Sequence, residues 1–115
     1  MSLVSQQWLF LQDVAKLINY AQTLDVVLTG GELYRTKEQQ QIYMDAGKSQ
    51  TMKSNHLKRL AIDFNFFIDG QLVYASTHPT LIKLGKFWES LDKQNSWGGF
   101  WNSFKDTPHF EKREV

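Results

Sequence analysis

The spacing of hydrophobic residues changes several times along this chain, and each change predicts an element. Between about Ser5 and Leu24, the residues Leu11, Val14, Leu17, Ile18 and Ala21 recur at helical intervals, which predicts an amphipathic helix with that stripe facing inward. Val26-Val27-Leu28 is a short apolar run ended by Gly30-Gly31 and reads as a buried strand. Thr36 is placed to cap a helix that runs through about Ala46 and is closed by Gly47. From Ala61 to Ile68 the pattern has period two. Ile62, Phe64 and Phe66 share one face, and Asp63, Asn65 and Phe67 share the other. Asp69-Gly70 then offers a hairpin turn into Gln71-Leu72-Val73-Tyr74. Pro79 suits a first helical turn, and Leu81, Leu84, Gly85, Trp88 and Leu91 form the stripe of a helix ending near Gln94. The final segment returns as a strand carrying His109 and Glu111. These elements predict an α+β fold, a single small domain with a short, mostly antiparallel sheet flanked by helices.

Asp63 breaks the apolar character of its strand. A carboxylate in such a strand is costly to bury unless it is paired or bound to a metal. His56 lies seven residues earlier, too far to share a helical turn with Asp63, so the two fit a loop leading into a strand. A second polar cluster, Asp106-Thr107-Pro108-His109-Phe110-Glu111, lies far away in sequence. Pro108 keeps Thr107 out of the helical region, so Asp106 and His109 sit on extended or turn backbone. Together the two segments offer His56, Asp63 and His109 as three ligands for one zinc ion with an open fourth position. Asp106 remains as a spare carboxylate able to handle protons, with Glu111 as its rival. This is the inventory of a metal-dependent hydrolase.

Composition narrows the field. A chain of 115 residues with 42% hydrophobic and 14% aromatic residues can build one core. The net charge of +1 argues against nucleic-acid binding through a basic patch, and the lack of cysteine excludes disulfides and cysteine-rich metal sites. The Trp8-Leu9-Phe10-Leu11 run is short, lacks a basic leader and is closed by Asp13. The expectation is therefore synthesis in the cytoplasm without a signal peptide, no membrane insertion, and no room for a second domain. His78, between Thr77 and Pro79, reads as a surface helix start outside the site.

The motifs also carry a resemblance. Ser54, His56, Ala61 and Asp63 match the SxHxxGxAxD signature of the M15 metallopeptidases, with Arg59 in place of the signature glycine. Trp97-Gly98-Gly99-Phe100-Trp101 followed by Asp106-Thr107-Pro108-His109-Phe110 is similar to the WGGxW…DxPHF ending of the branch of L-alanyl-D-glutamate endopeptidases found in phage endolysins. Gly30-Gly31-Glu32-Leu33-Tyr34-Arg35-Thr36 resembles the family's YRT stretch. The resemblance runs from about Val26 to Glu111. It implies a Hedgehog/DD-peptidase-like fold and one zinc per chain held by His56, Asp63 and His109. It also implies Asp106 as catalytic base, and Arg35 engaging the substrate or the developing oxyanion. The implied partner is the peptidoglycan stem peptide, cut by a monomer that acts on the cell wall after release.

Each of these residues also has a plainer reading. Arg35 can pair with Glu32 or Glu38, and Ser54 can bond its own loop backbone as readily as it can orient substrate. Trp97, Trp101 and Phe104 can be core or rim aromatics. Gly98-Gly99 can make a turn or let a peptide approach the backbone closely. Two further readings of function stay open: a D-alanyl-D-alanine carboxypeptidase, and a non-catalytic, zinc-stabilised wall-binding module.

Overall fold

A computed structural model describes residues 1–115. In chain order it contains α1 (Leu3–Ala21), β1 (Val27–Gly30), α2 (Lys37–Asp45), β2 (Ala61–Ile68), β3 (Gln71–Val73), α3 (Pro79–Leu91), β4 (Asn95–Trp97) and β5 (His109–Lys112). Short 3-10 turns span Asn55–Lys58 and Gly98–Phe100. The five strands form one sheet in the order β1-β2-β5-β4, with β3 also pairing β2, and every pairing is antiparallel. No helix is long and apolar enough to cross a membrane.

Local sequence chemistry sets the ends of these elements. The Thr36 hydroxyl accepts from Gln39 N, capping α2 as expected, and Gly47 follows it at φ +75°. His78 caps α3 through its ring, which accepts from Thr80 N, and Pro79 fills the first helical position. This places the third histidine outside the site. Asp69 and Gly70, at φ +52° and +76°, make the tight β2–β3 hairpin.

The sheet separates two environments. Phe64, Phe66 and Ile68 of β2, Phe110 of β5 and Trp97 of β4 enter the core, which α1 and α3 close with Phe10, Leu17, Leu81, Leu84 and Trp88. Phe10 meets Trp88 edge-to-face at 5.6 Å, and Trp88 meets Phe110 the same way at 5.9 Å. α3 passes so close to β4 that a Cβ on Gly85 would lie 2.1 Å from the Trp97 ring. Asp63, His109 and Glu111 project from the opposite face, as their place in the period-two pattern requires.

Two expectations need correcting. The inward face of α1 is Gln6, Phe10, Asp13, Val14, Leu17 and Ala21, whereas Leu11 and Ile18 are exposed. The stripe is rotated because α1 buries a carboxylate: Asp13 Oδ2 lies 3.0 Å from Lys112 Nζ and accepts from Asn95 Nδ2 at 3.1 Å. The strand β4 was not expected. It is three residues long, and it forms by pairing with β5 rather than through any period of its own.

The Asp13–Lys112 pair ties α1 to the strand that carries His109. Asp13→Ala should lower stability by about 3 kcal/mol, because it strands a buried ammonium with Asp92, 3.5 Å away, as its remaining anionic partner. Urea unfolding measures this. A loss below about 1 kcal/mol would show that Asp92 suffices.

Candidate metal centre and active-site cleft

The site is assembled by backbone pairing. Asp63 and His109 are direct partners in the β2–β5 register, so their side chains stand side by side on one face. The chain after β1 continues along β2: Asp63 N donates to Glu32 O at 2.9 Å and Gly31 N donates to Asp63 O at 2.8 Å. Gly31 permits this approach, since a Cβ there would lie 3.0 Å from Asp63 O. The first 3-10 turn delivers His56. The Ser54 hydroxyl caps that turn by accepting from His56 N at 3.2 Å, which is the capping role open to Ser54 from sequence. The turn ends on Arg59 at φ 56°, ψ 37°, in the left-handed region. This explains the signature's glycine, because an L-side chain there costs roughly 1–2 kcal/mol. Arg59 offsets part of that cost by stacking its guanidinium 4.0 Å over the Tyr34 ring.

The hydrogen bonds around the two imidazoles define what they can do. His56 Nδ1–H donates to Leu33 O at 2.8 Å, so the lone pair of its neutral ring sits on Nε2, 3.2 Å from Asp63 Oδ1. His109 Nε2–H donates to Glu111 Oε1 at 2.7 Å, so its lone pair sits on Nδ1, 3.4 Å from the same Asp63 oxygen. One ligand atom from each residue lies within 4.8 Å of the others. With both rings neutral in these tautomers, three acceptors converge, and each imidazole is held from behind by a second acceptor. That donor set fits a divalent cation such as zinc.

A proton can meet the same need. Burial alone would lower His109, but its hydrogen bonds to Asp63 and Glu111 outweigh burial and raise it to about 9. Burial pushes Asp63 up, yet the hydrogen bonds from His109 and His56 overcome that and hold its carboxyl far below the usual range. Glu111 is likewise pushed up by burial and brought below its ordinary value by His109, with a further bond from Asn55.

Asp106 is the free carboxylate. Its Oδ2 stands 3.8 Å from His109 Nδ1, beyond hydrogen-bond reach. Its backbone is held on both sides: Asp106 N donates to Gly98 O at 3.1 Å, and His109 N donates to Asp106 O at 3.0 Å. A Cβ on Gly98 would lie 2.2 Å from Asp106 O. The close approach allowed by Gly98 is therefore made by the protein's own backbone. Burial raises the Asp106 carboxyl above its ordinary value, which the nearby His109 opposes and the Asp63 charge reinforces.

Arg35 reaches the same cleft. Its backbone N donates to His56 O at 3.1 Å, its Nε donates to Glu32, and its Nη1 donates to Gln40 Oε1 at 2.8 Å. The pairing with Glu32 matches the plainer sequence reading, yet Nη2 keeps no partner within the chain. The cleft has a volume of about 660 Å³, and its walls include Tyr43, Lys48, Lys53, Trp101 and Phe104. Trp101 leans on His109 at 5.2 Å, whereas Trp97 is wholly core. Sequence reasoning missed Gln40 and Tyr43, and it weighed Glu111 only as a rival base, whereas Glu111 lies behind His109 as the acceptor of its Nε2–H. A signal existed for Glu111, which lies two residues beyond His109 on the same strand face. None existed for Gln40, which reads as an ordinary polar helix position.

These hydrogen bonds set a pH dependence. In chelator-treated protein, the His109 proton stabilises the fold fully below about pH 6.5, its unfolded value, and that contribution is lost as pH rises through about 9. The unfolding midpoint should fall across that window, and His109→Asn should flatten the slope. Equal slopes in the two proteins would reject the assignment.

Comparison with known proteins follows the same lines. Residues 47–112, which carry His56, Asp63, Asp106, His109 and Glu111, match the M15 peptidase family model described as D-alanyl-D-alanine carboxypeptidase. The chain is 34% identical over 98 residues to the L-alanyl-D-glutamate peptidase of Listeria phage A118, covering 84% of this chain and 34% of that protein. It therefore spans about a third of the length of that curated relative. The crystal structure of the Serratia marcescens L-Ala D-Glu endopeptidase ChiX superposes with a TM-score of 0.68 at 25% identity, covering 89% of this chain and 79% of that one. With its fold, its motifs and most of its length accounted for in this way, the chain belongs to the M15 peptidase family.

Proposed function

We propose that this chain is a zinc peptidase that hydrolyses the L-alanyl-D-glutamate bond of peptidoglycan stem peptides. One observation carries the reading. Three lone pairs converge, on His56 Nε2, Asp63 Oδ1 and His109 Nδ1, beside a half-buried carboxylate, Asp106, that bonds none of them. A metal site serving structure alone has no use for Asp106 in that position. The two relatives named above supply the bond, and the imidazole–carboxylate set suits zinc. Held by His56, Asp63 and His109, zinc would supply Lewis acidity at the site.

The protein's own groups complete the reaction. Asp106 takes a proton from the attacking water as the new C–O bond forms, then returns it to the departing amine as the C–N bond breaks. Its raised affinity for a proton suits both transfers. Arg35 Nη2 donates to the developing oxyanion or to a substrate carboxylate, with the guanidinium held in place by Glu32 and Gln40. Glu111 does not compete as base, because His109 occupies its carboxylate. One copy of the chain builds the whole cleft, so a monomer suffices, acting on the wall once it has reached it.

Digestion of purified peptidoglycan followed by mass spectrometry tests the bond. New amino-terminal D-glutamate is the expected product. Release of terminal D-alanine would instead support the carboxypeptidase activity for which the family model is described.

Asp106→Asn should lower the wall-lysis rate by about a hundred- to ten-thousandfold while zinc stoichiometry holds. His56→Ala should lose zinc and activity together. Both are measured on the same preparations by metal analysis and turbidity. Lysis by Asp106→Asn at the parent rate would sink the role of Asp106, and full zinc in His56→Ala would sink the ligand set.

A further inference from the structure

Gln40 is fully buried, and it is the one buried residue of helix α2, whose other residues are exposed or half-buried. Its amide has both ends committed. Oε1 accepts from Arg35 Nη1 at 2.8 Å, while Nε2 donates to Ser49 Oγ at 2.8 Å and to the Thr51 carbonyl. The Arg35 donor and the Thr51 carbonyl can each be satisfied in only one way, so the orientation of the amide is fixed. Segment 48–54 lines the same cleft as Asp106 and Trp101 and has no regular secondary structure. Its Lys48 and Ser49 N–H groups donate to Tyr43 O, its Lys53 N bonds to its own Thr51 hydroxyl, and its Ser54 Oγ lies 3.5 Å from Arg35 Nη1. Gln40 Nε2 supplies the fully buried side-chain anchor for its middle, at Ser49 and Thr51. We propose that Gln40 is a positioning residue that sets two parts of the substrate site together: the Arg35 guanidinium through its oxygen, and the 48–54 wall through its nitrogen. This rests on the peptidase reading above. Because a polar amide joins the two parts, disturbing either half displaces a different element. The oxygen side governs turnover through Arg35, and the nitrogen side governs substrate affinity through the wall.

Two substitutions separate the halves. Gln40→Glu keeps an acceptor for Arg35 but sets a carboxylate oxygen against the Thr51 carbonyl. Gln40→Met keeps the volume and removes both bonds. Two measurements are made on each. The first is kcat and KM on a soluble stem-peptide substrate. The second is the rate of tryptic cleavage after Lys48 and Lys53, which requires no activity and so stands even if the peptidase reading fails. Gln40→Glu should raise KM about tenfold or more with kcat held within about threefold, and should speed cleavage at both lysines. Gln40→Met should speed cleavage equally and also lower kcat about ten- to a hundredfold. Ser49→Ala, which deletes one partner without touching the buried amide, should speed cleavage as well, and it serves if either Gln40 variant fails to fold. Tryptic rates within twofold of the parent in Ser49→Ala and in folded Gln40 variants would overturn the anchoring role. Identical kinetic effects of Glu and Met would overturn the division between wall and arginine.

Discussion

Three lone pairs that face one another repel unless something positive lies between them. His56, Asp63 and His109 are in that position, and much of the surrounding chain is arranged to keep them there. Leu33 O and Glu111 accept the outward N–H groups of the two imidazoles, so neither ring can rotate to relieve the crowding without breaking a bond. The strand register fixes Asp63 against His109, and Gly31 lets the neighbouring segment lie flat along Asp63. The arrangement is electrostatically unsatisfied by design, and its demand for positive charge is met by a cation or by a proton on His109. Glu111, which holds the outer N–H of His109, is therefore as much a part of the centre as the residues it supports.

What the sequence made legible follows from what has a short-range cause. β2 and its hairpin, the Thr36 cap and the α3 stripe were readable because alternation, a hydroxyl at a helix start and 3.6-residue spacing act within a few residues. Asp63 of the candidate centre was readable because a carboxylate in an apolar strand requires an explanation. The inward face of α1 was misread because its orientation is settled by Asp13 reaching Lys112, a partner near the other end of the chain. β4 was invisible because three residues have no period of their own. Gln40 was invisible because only the fold shows that a helix residue is enclosed between an arginine and a loop.

Arg59 shows how a departure from a motif can be absorbed. The position demands a left-handed backbone, and glycine meets that demand without steric cost. Here an arginine takes up that left-handed conformation, its long side chain lies on Tyr34, and Asp63 beyond it stands in register with His109.

The sheet also gives the protein a parity. Along β2 and β5, odd-numbered residues (Asp63, His109, Glu111) face the cleft, and even-numbered ones (Phe64, Phe66, Phe110) face the core. Chemistry and stability are therefore written on alternate letters of the same short words. A library that varies only Asp63, His109 and Glu111 changes the chemistry of the cleft and leaves the core residues of both strands in place. A single inserted residue in either strand would exchange the two alphabets, carrying aromatic rings to the water and the carboxylates and imidazole into the core.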